Sequence, residues 1–460
     1  MKKILENSTL GFMSLFPIFS LVWFHSHITT LVIVLGITII FVSTLVIYKE
    51  ARGKLKYLFL YYLLVLIYLY INYKHSFTFK SLVPGNFDYN IFKEGLTVLK
   101  LVMPVTFFYA LYYQKIEYRK YIVVVKIWVL FITLVIIGTN LLGVSLGTYK
   151  SGMITKSILE WNSSNYYQET ASKGYFMYAN QIALWMFIMF ILMLYEFLVN
   201  NKNIIYITLL FIAMLMLGTR ISSLGCLLGI IVVGVIYLIY VFLHKEEFFG
   251  RVLYLGFLIL VWFIVIPISP YKNRDLELNM ASSGYMLVGE DSTMVAYVYD
   301  NYNPDYLPRV FFEIYYPINY DSAFWYQYVK NTSINEMNYR AIEESIIKRV
   351  VEINNNKYDV WFGISNSRIQ NIVNIERDFV LHYYAFGIVG SLLLLGIFII
   401  LFGYLGYMFF KYQTFYIFVV SLVLCLFVVS AYLTGNIVNS VNIMLPFVFL
   451  VSGIFGRKPI

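Results

Sequence analysis

The chain has 460 residues, of which 60% are hydrophobic and only 13% are charged, and its formal net charge is +9. Soluble domains carry about 25% charged residues, so this composition excludes a soluble globular protein and indicates one embedded in a lipid bilayer. The basic residues lie mostly in short connections between apolar runs, so membrane topology explains the positive charge and we expect no nucleic-acid partner.

Twelve apolar runs approach the length of about 20 residues that a membrane-spanning helix needs. The first run follows Lys2 and Lys3 as a signal peptide would, but it lacks a small-residue cleavage site, so we interpret it as an uncleaved anchor. The sequence predicts an all-α polytopic membrane protein with about 12 transmembrane helices. The runs lie near residues 9–24, 28–48, 57–72, 95–113, 121–141, 174–199, 204–219, 221–243, 252–270, 379–410, 413–433 and 436–455.

The charge of the connections alternates along the chain. Every second connection is basic, and the positive-inside rule places that set and both termini in the cytoplasm. The other connections must face outward, and among them only residues 271–378 are numerous enough to form a domain. We therefore divide the chain into nine transmembrane helices (1–270), an extracytoplasmic loop domain (271–378) and three further transmembrane helices (379–460).

No sequence pattern requires a metal or a nucleotide. The chain has no HExxH motif, no Walker loop and no dinucleotide-binding fingerprint. Cys226 and Cys425 lie inside apolar runs, which argues against a disulfide and against a zinc site. We expect no cofactor and no metal.

A single arginine, Arg220, separates two apolar runs in the stretch MLGTRISSLGCLLGII (214–229). A charged side chain near the centre of a bilayer costs about 3 kcal/mol, so such residues are functional candidates by default. As a helix, residues 204–220 span about 24 Å, short of the roughly 30 Å hydrocarbon core, which predicts a sunken, outward-facing turn at Arg220. The alternative is an arginine that snorkels to the lipid headgroups.

The loop domain contains one clear amphipathic helix, residues 333–353, which begins behind a Ser333 cap with Glu336 at the capping-box position. Its apolar positions recur at helical spacing and are Ile342, Ile346, Ile347 and Val350. The domain is otherwise rich in tyrosine and tryptophan, whose rings and hydroxyl groups suit sugar binding. An interfacial belt and a small core explain most of these aromatic residues equally well.

Charged residues gather again where the loop domain re-enters the membrane, at Arg368, Glu376, Arg377, Asp378 and His382. Because Glu376 and Asp378 are two positions apart, their side chains diverge on a helix, and only one of them needs to face the same cavity as Arg220. The alternative is a charge cluster that merely ends a span.

Four stretches together resemble the superfamily of O-antigen ligases and O-antigen polymerases, which are polytopic glycosyltransferases, and the resemblance covers roughly residues 170–400. The order, spacing and sidedness of the four motifs carry this resemblance. The motif positions are Gly174, Asn180 and Ala183; Thr219, Arg220 and Ser222; Arg340, Phe362 and Gly363; and the pair Gly387 and Gly390, which permits close helix packing.

One position departs from the ligase pattern. Ligases of this superfamily carry a histidine followed by an asparagine eleven residues before the first glycine of the final pair, whereas this chain has Glu376 followed by Arg377. Polymerases of the superfamily more often have acidic residues there, so the departure favours a polymerase. The general base that accepts the proton of the sugar hydroxyl is left open among Glu376, Asp378 and His382.

The resemblance implies a glycan donor and acceptor on undecaprenyl diphosphate, at the outer face of the bacterial cytoplasmic membrane. It implies that Arg220 binds the donor diphosphate, since a guanidinium forks onto phosphate oxygens, and that Arg340 and Arg377 are further diphosphate ligands. For Arg340, an ion pair with Glu343 or Glu344 is the competing interpretation. Membrane lipids, a flippase and a chain-length regulator are the other expected partners.

Three functions are compatible with these observations. The first is a polymerase of lipid-linked repeat units, and the second is a ligase that moves a finished glycan to another acceptor. The third is a flippase or other transporter of lipid-linked oligosaccharides, which we expect to carry charges along several spans. The predicted spans are almost uncharged in their middles, which favours the two enzymes.

Overall fold

The computed structural model of the chain describes residues 1–24, 27–80, 89–148, 152–164, 167–244, 249–273, 316, 321–331, 339–373, 375–412, 414–435 and 437–453. Within these ranges the secondary structure consists of helices, with isolated β-bridges and no strands, which confirms the all-α prediction. The Ser333 cap and Glu336 lie outside the described residues.

Eighteen α-helices, numbered here in chain order, make up the described structure. They are α1 (Lys2–Ser14), α2 (His27–Ile47), α3 (Lys49–Ser76), α4 (Ile91–Gln114), α5 (Tyr118–Leu141), α6 (Tyr167–Thr170), α7 (Ala179–Asn200), α8 (Ile204–Leu217), α9 (Arg220–His244), α10 (Phe249–Val265), α11 (Ser322–Asn331), α12 (Tyr339–Asn354), α13 (Asp359–Phe362), α14 (Asn366–Ile372), α15 (Asp378–Leu394), α16 (Gly396–Tyr412), α17 (Phe415–Thr434) and α18 (Val441–Ser452).

Eight described helices are long and apolar enough to cross a membrane, and the bent pair α15 and α16 makes a ninth. Two shorter apolar helices, α8 and α18, accompany them, so the chain is a polytopic membrane protein. The first predicted span, 9–24, differs from the others. There α1 ends at Ser14 and a 3₁₀ turn follows over Phe16–Ser20, with Pro17, which has no backbone N–H, in its first turn.

The helix α7 lies at the centre of the bundle, with 94% of its most apolar stretch buried, whereas only 17% of the equivalent stretch of α10 is buried. Small residues of α9 allow this close packing, since Gly225 and Gly229 both face the ring of Phe187. In α7, the Ala183 side chain is fully buried and Asn180 lies in the first turn. These two motif positions therefore belong to the central helix of the bundle.

The described part of residues 271–378 is built around α12. The predicted start of this helix at 333 lies outside the described residues. Its predicted apolar face is correct, because Ile342, Ile346, Ile347 and Val350 are all buried. An ion pair of 2.7 Å between Arg349 Nε and Asp321 Oδ2 joins α12 to the start of α11.

The helix α15 is broken at Gly387, where φ is 63° and ψ is −171°. At the break, the carbonyl groups one turn earlier lose the backbone N–H groups that would donate to them in a continuous helix. These carbonyl groups need new donors. The backbone N–H of Ile364 donates to the Tyr384 carbonyl at 2.9 Å, and that of Ser365 donates to the Ala385 carbonyl at 3.0 Å. The end of the loop domain is thus hydrogen-bonded to the broken helix.

Polar side chains of α3 complete this contact, which we call the α3 latch (Tyr68 and Asn72 with the carbonyl groups of Phe362, Ala385 and Phe386). Tyr68 Oη donates to the Phe386 carbonyl at 2.6 Å, and Asn72 Nδ2 donates to the Phe362 carbonyl at 2.6 Å. Both side chains are buried, so these bonds satisfy backbone groups that lipid could not.

The motif glycines allow the latch to form. A methyl group on Gly363 would overlap the Ala385 backbone, one on Gly387 would overlap the Trp361 backbone, and one on Gly390 would overlap the Tyr68 ring. Gly363 also has a φ of 73°, which favours glycine. Close packing against the backbone of Ala385 and Trp361 and against the Tyr68 ring therefore explains these three positions.

Candidate functional site

Gly218, Thr219 and Ser222 set the backbone conformation of the turn that carries Arg220. Gly218, with a φ of 68°, ends α8. Thr219 and Ser222 then cap α9 reciprocally, because each hydroxyl oxygen accepts the other residue's backbone N–H at 3.1 Å. The threonine and serine of this motif therefore set the backbone of the turn and place Arg220 at the first position of α9.

Thr148 and Ser172 contact the end of α8 next to this turn. Thr148 Oγ1 donates to the Leu217 carbonyl at 2.8 Å, and the Ser172 backbone N–H donates to the Met216 carbonyl at 3.0 Å. With only 14 residues, α8 is about 21 Å long, shorter than a full hydrocarbon core. This length agrees with the sunken turn expected from the sequence.

Arg220 itself is exposed, and none of the residues that the structure describes forms a hydrogen bond or an ion pair with its side chain. An anion can bind this guanidinium without first displacing a described protein group. The side chain is thus a ready phosphate ligand on a fixed turn.

A second cluster of charges lies where α12 meets the start of α15. Arg340 Nε pairs with Glu376 Oε2 at 3.1 Å, and Arg340 Nη1 donates to the Leu433 carbonyl at 2.8 Å. Arg377 Nη2 donates to the Arg340 carbonyl at 3.1 Å and pairs with Glu344. The competing sequence interpretation, a pair of Arg340 with Glu343 or Glu344, is therefore wrong in its partner, which is Glu376.

This cluster borders an open cavity of about 380 Å³, which we call the arginine cavity. Three cationic side chains but only one carboxylate, that of Glu344, line it, so the cavity favours an anion. Its lining residues are Arg340, Ala341, Glu344, Ser345, Lys348, Arg377, Tyr432 and Leu433.

Two neighbouring glutamates of α12 differ sharply in their ionisation. Glu343 is buried and accepts the backbone N–H of Glu376 at 3.0 Å, and burial, with a smaller contribution from the Glu376 carboxylate, raises its pKa to about 8. For Glu344, partial burial is outweighed by hydrogen bonds from Lys348 and Arg377 and by their charges, which lower the pKa. Glu343 therefore holds a proton at neutral pH while Glu344 is ionised.

Two of the three candidate bases, Asp378 and His382, are buried, and hydrogen bonds hold their side chains in place. Asp378 accepts the backbone N–H groups of Ile437 at 2.7 Å and Val438 at 3.0 Å, and also Nδ2 of Asn439 at 2.9 Å. The Asn439 oxygen then faces His382, whose Nε2, 2.9 Å away, must carry the proton. Asp378 and His382 are both almost fully buried, and their bonds fix the turn between α17 and α18.

Glu376 is the accessible carboxylate of the three candidates, with a side chain that is 42% exposed. Its Oε2 pairs with Arg340, and no described residue donates a hydrogen bond to Oε1. It does not line the arginine cavity itself, and Arg340 connects it to that cavity.

The structure brings Arg340, Glu376 and Arg377 together, whereas Arg368 contacts a different element. Its guanidinium lies over the Phe79 ring, 5.6 Å from the centroid. Within the described part of the chain, no hydrogen bond or ion pair joins Arg220 to the arginine cavity. Sequence reasoning did not single out Lys348 or the buried carboxyl of Glu343, although the i, i+4 spacing of Glu344 and Lys348 was a readable signal.

Among the described residues, no group of three histidine, cysteine, aspartate or glutamate side chains could hold a metal ion. The described side chains of the site offer anion binding by guanidinium groups and proton transfer by carboxyl groups.

Residues 10–455 match a family model described as O-antigen ligase like membrane protein. Neither the curated proteins nor the solved structures contain a match to the chain. The family match covers nearly the whole chain and includes every motif on which the sequence resemblance rests. The chain therefore belongs to the family of O-antigen ligase-like membrane proteins.

Proposed function

We propose that the chain is a metal-independent glycosyltransferase that polymerises undecaprenyl-diphosphate-linked repeat units into a surface polysaccharide. The observation that carries this proposal is the arginine cavity, in which Arg340 and Arg377 face an anion site beside an accessible carboxylate, Glu376. Family membership supports lipid-linked glycans and membrane lipids as its partners.

The arginines suit the leaving group of such a reaction. Breaking the bond between the sugar and the lipid diphosphate places negative charge on a phosphate oxygen, which a guanidinium stabilises. We assign the donor diphosphate to Arg220, whose side chain is exposed and unpaired within the described residues. We assign the diphosphate of the incoming acceptor to Arg340 and Arg377, which both line the arginine cavity.

The ion pair between Arg340 and Glu376 couples anion binding to base catalysis. A phosphate that takes the Arg340 guanidinium competes with the Glu376 carboxylate for the same donor. The released carboxylate accepts the proton of the acceptor hydroxyl as its oxygen attacks the anomeric carbon, and the bond to the donor diphosphate breaks. The carboxyl group then returns its proton to water, and the free lipid diphosphate departs.

The proposed membrane is the bacterial cytoplasmic membrane, with the catalytic site at its outer face and both termini in the cytoplasm. The basic connections support this orientation, since the arginine cavity and Arg220 lie at helix ends opposite to them. A flippase that supplies the substrate and a regulator of chain length are the proposed protein partners.

A ligase is the second candidate, because the matching family carries the ligase description. The acidic Glu376, at the position where ligases of the superfamily have histidine, favours the polymerase.

The test is a reconstitution of the purified chain in vesicles with a lipid-linked repeat unit. A ladder of products that grows by one repeat unit supports the polymerase, and the Glu376→Gln variant is expected to make no ladder. Transfer of a single glycan to a different acceptor would replace this proposal with the ligase. Movement of the lipid across the vesicle membrane without a new glycosidic bond would overturn both and indicate a transporter.

A further inference from the structure

A second cavity lies at the end of α3, away from the residues assigned to glycosyl transfer. It has a volume of about 430 Å³ and shares no lining residue with the arginine cavity. The helix α12 connects the two regions. Arg340, at one end of α12, lines the arginine cavity, and Asn354, at the other end, contacts Asp359, which in turn contacts the lining residue His75. These two α12 residues are about 21 Å apart along the helix. The lining residues of the second cavity are Tyr70, Ile71, Lys74, His75, Tyr358 and Phe362.

One wall of this cavity is a fixed histidine. His75 Nε2 lies 2.7 Å from Asp359 Oδ1, and Asn354 Nδ2 donates to Asp359 Oδ2 at 2.6 Å. Both carboxylate oxygens are thereby occupied, and the imidazole is held in one orientation with its Nε2–H on the carboxylate. His75 therefore shapes the wall of the cavity and supplies no further donor to an anion.

Two lysines without a carboxylate partner flank the cavity. The Lys74 ammonium lies 5.8 Å from the Tyr70 ring centroid, and the Lys357 ammonium lies 5.2 Å from the Tyr358 centroid. Within the described ranges, neither ammonium forms an ion pair or a hydrogen bond. Lys74 lines the cavity and Lys357 precedes the lining residue Tyr358, so among the described residues here two ammonium groups face the single carboxylate of Asp359. The remaining positive charge attracts an anion.

An apolar stripe runs along α3 toward Lys74. Its members recur at helical spacing and are Leu63, Leu66, Ile67, Tyr70 and Ile71, which are 42%, 63%, 48%, 62% and 37% exposed. The opposite face of α3 is buried against the protein, with Val65, Tyr68 and Asn72 all nearly inaccessible. On a membrane-spanning helix, this exposed stripe faces the lipid chains and leads them to the cationic cavity.

We propose that this cavity binds a lipid that carries a phosphate group. The phosphate takes the Lys74 ammonium, while the hydrocarbon chain of the lipid lies along the α3 stripe. A phospholipid and an isoprenoid phosphate share this chemistry. The site does not depend on the function proposed above, because none of its residues belongs to the arginine cavity.

The test is native mass spectrometry of the full chain in detergent, titrated separately with phosphatidylglycerol, undecaprenyl phosphate and phosphatidylcholine. One molecule of an anionic lipid is expected to be retained more tightly than phosphatidylcholine, whose choline compensates the phosphate charge. Lys74→Gln is expected to weaken this retention about tenfold or more, since a charge-assisted bond to phosphate is lost, whereas Lys74→Arg keeps it.

Lys54→Gln is the matched control, because Lys54 lies at the other end of α3 and its ammonium contacts a tyrosine in the same way, 5.7 Å from the Tyr57 centroid. Equal losses in Lys54→Gln and Lys74→Gln, or equal retention of all three lipids, would overturn the proposal. Preferential retention of undecaprenyl phosphate supports an isoprenoid occupant, and preferential retention of phosphatidylglycerol supports a phospholipid.

Discussion

Replacing Glu343 by glutamine is expected to stabilise the protein, and to do so more strongly as the pH rises. The carboxyl group of Glu343 is buried beside Glu376, and its pKa is raised to about 8 from an ordinary value of 4.5. Arg340 and Arg377 lie close enough to oppose this shift but do not cancel it. An amide keeps the oxygen that accepts the Glu376 backbone N–H and never acquires a charge.

The magnitude follows from the two pKa values. Between pH 4.5 and 8 the folded protein holds a proton that the unfolded chain releases, so the free energy of unfolding falls as the pH rises through this window. At 1.36 kcal/mol per pKa unit, the wild type loses about 3 kcal/mol by pH 7 and at most about 5 kcal/mol above pH 8. Glu343→Gln avoids this loss, so the difference between the proteins vanishes below pH 4.5 and is largest above pH 8.

The assay is thermal unfolding of the detergent-solubilised protein, followed between pH 5 and pH 9. The melting temperature of Glu343→Gln should exceed that of the wild type by a margin that widens with pH. Glu344→Gln is the matched control, because the lowered pKa of Glu344 means that its charge stabilises the folded state above the ordinary carboxyl range. A difference for Glu343→Gln that is constant from pH 5 to pH 9 would refute the reasoning.

Three further outcomes are expected. Arg220→Lys keeps the charge but loses the bidentate fork, so polymer should fall sharply on gels of surface glycan while the protein accumulates normally; unchanged polymer from Arg220→Ala would exclude the assignment. Glu376→Gln should reduce the rate of repeat-unit addition by about 10²–10⁴-fold, whereas Asp378→Asn should chiefly lower the amount of folded protein. Gly363→Ala should abolish accumulation of folded protein because of its backbone overlap with Ala385, and Gly396→Ala, which has open space, should leave it unchanged.

The sequence predicts the fold class well, because that class depends on local composition. The apolar runs give the membrane helices, and the isolated Arg220 and the 376–382 cluster are visible without any tertiary contact. The apolar face of α12 is equally predictable, since its period is that of a helix. The first run, 9–24, shows the limit of this reasoning, because Pro17 falls inside it and a 3₁₀ turn replaces the continuous helix.

The partners of the charged residues were less predictable, because they come from distant parts of the sequence. Arg340 pairs with Glu376 rather than with a glutamate one turn away on its own helix. The pairing of His75 with Asp359 joins residues 284 positions apart, which no local pattern reports. Glu343 and Glu344 are adjacent glutamates, and their ionisation differs because Glu343 is buried while Lys348 and Arg377 stabilise the charge of Glu344.

The α3 latch imposes an order on the biogenesis of the protein. The Tyr68 hydroxyl donates to the carbonyl of Phe386, which lies 318 positions later in the chain. At about 5–20 residues per second, the ribosome synthesises Phe386 roughly 15–60 s after Tyr68. During that interval the nascent α3 carries two polar side chains whose final acceptors have not yet been synthesised. Translation that stops before residue 362 would leave these groups permanently without those acceptors, so the last third of the protein completes a helix that was inserted near the beginning.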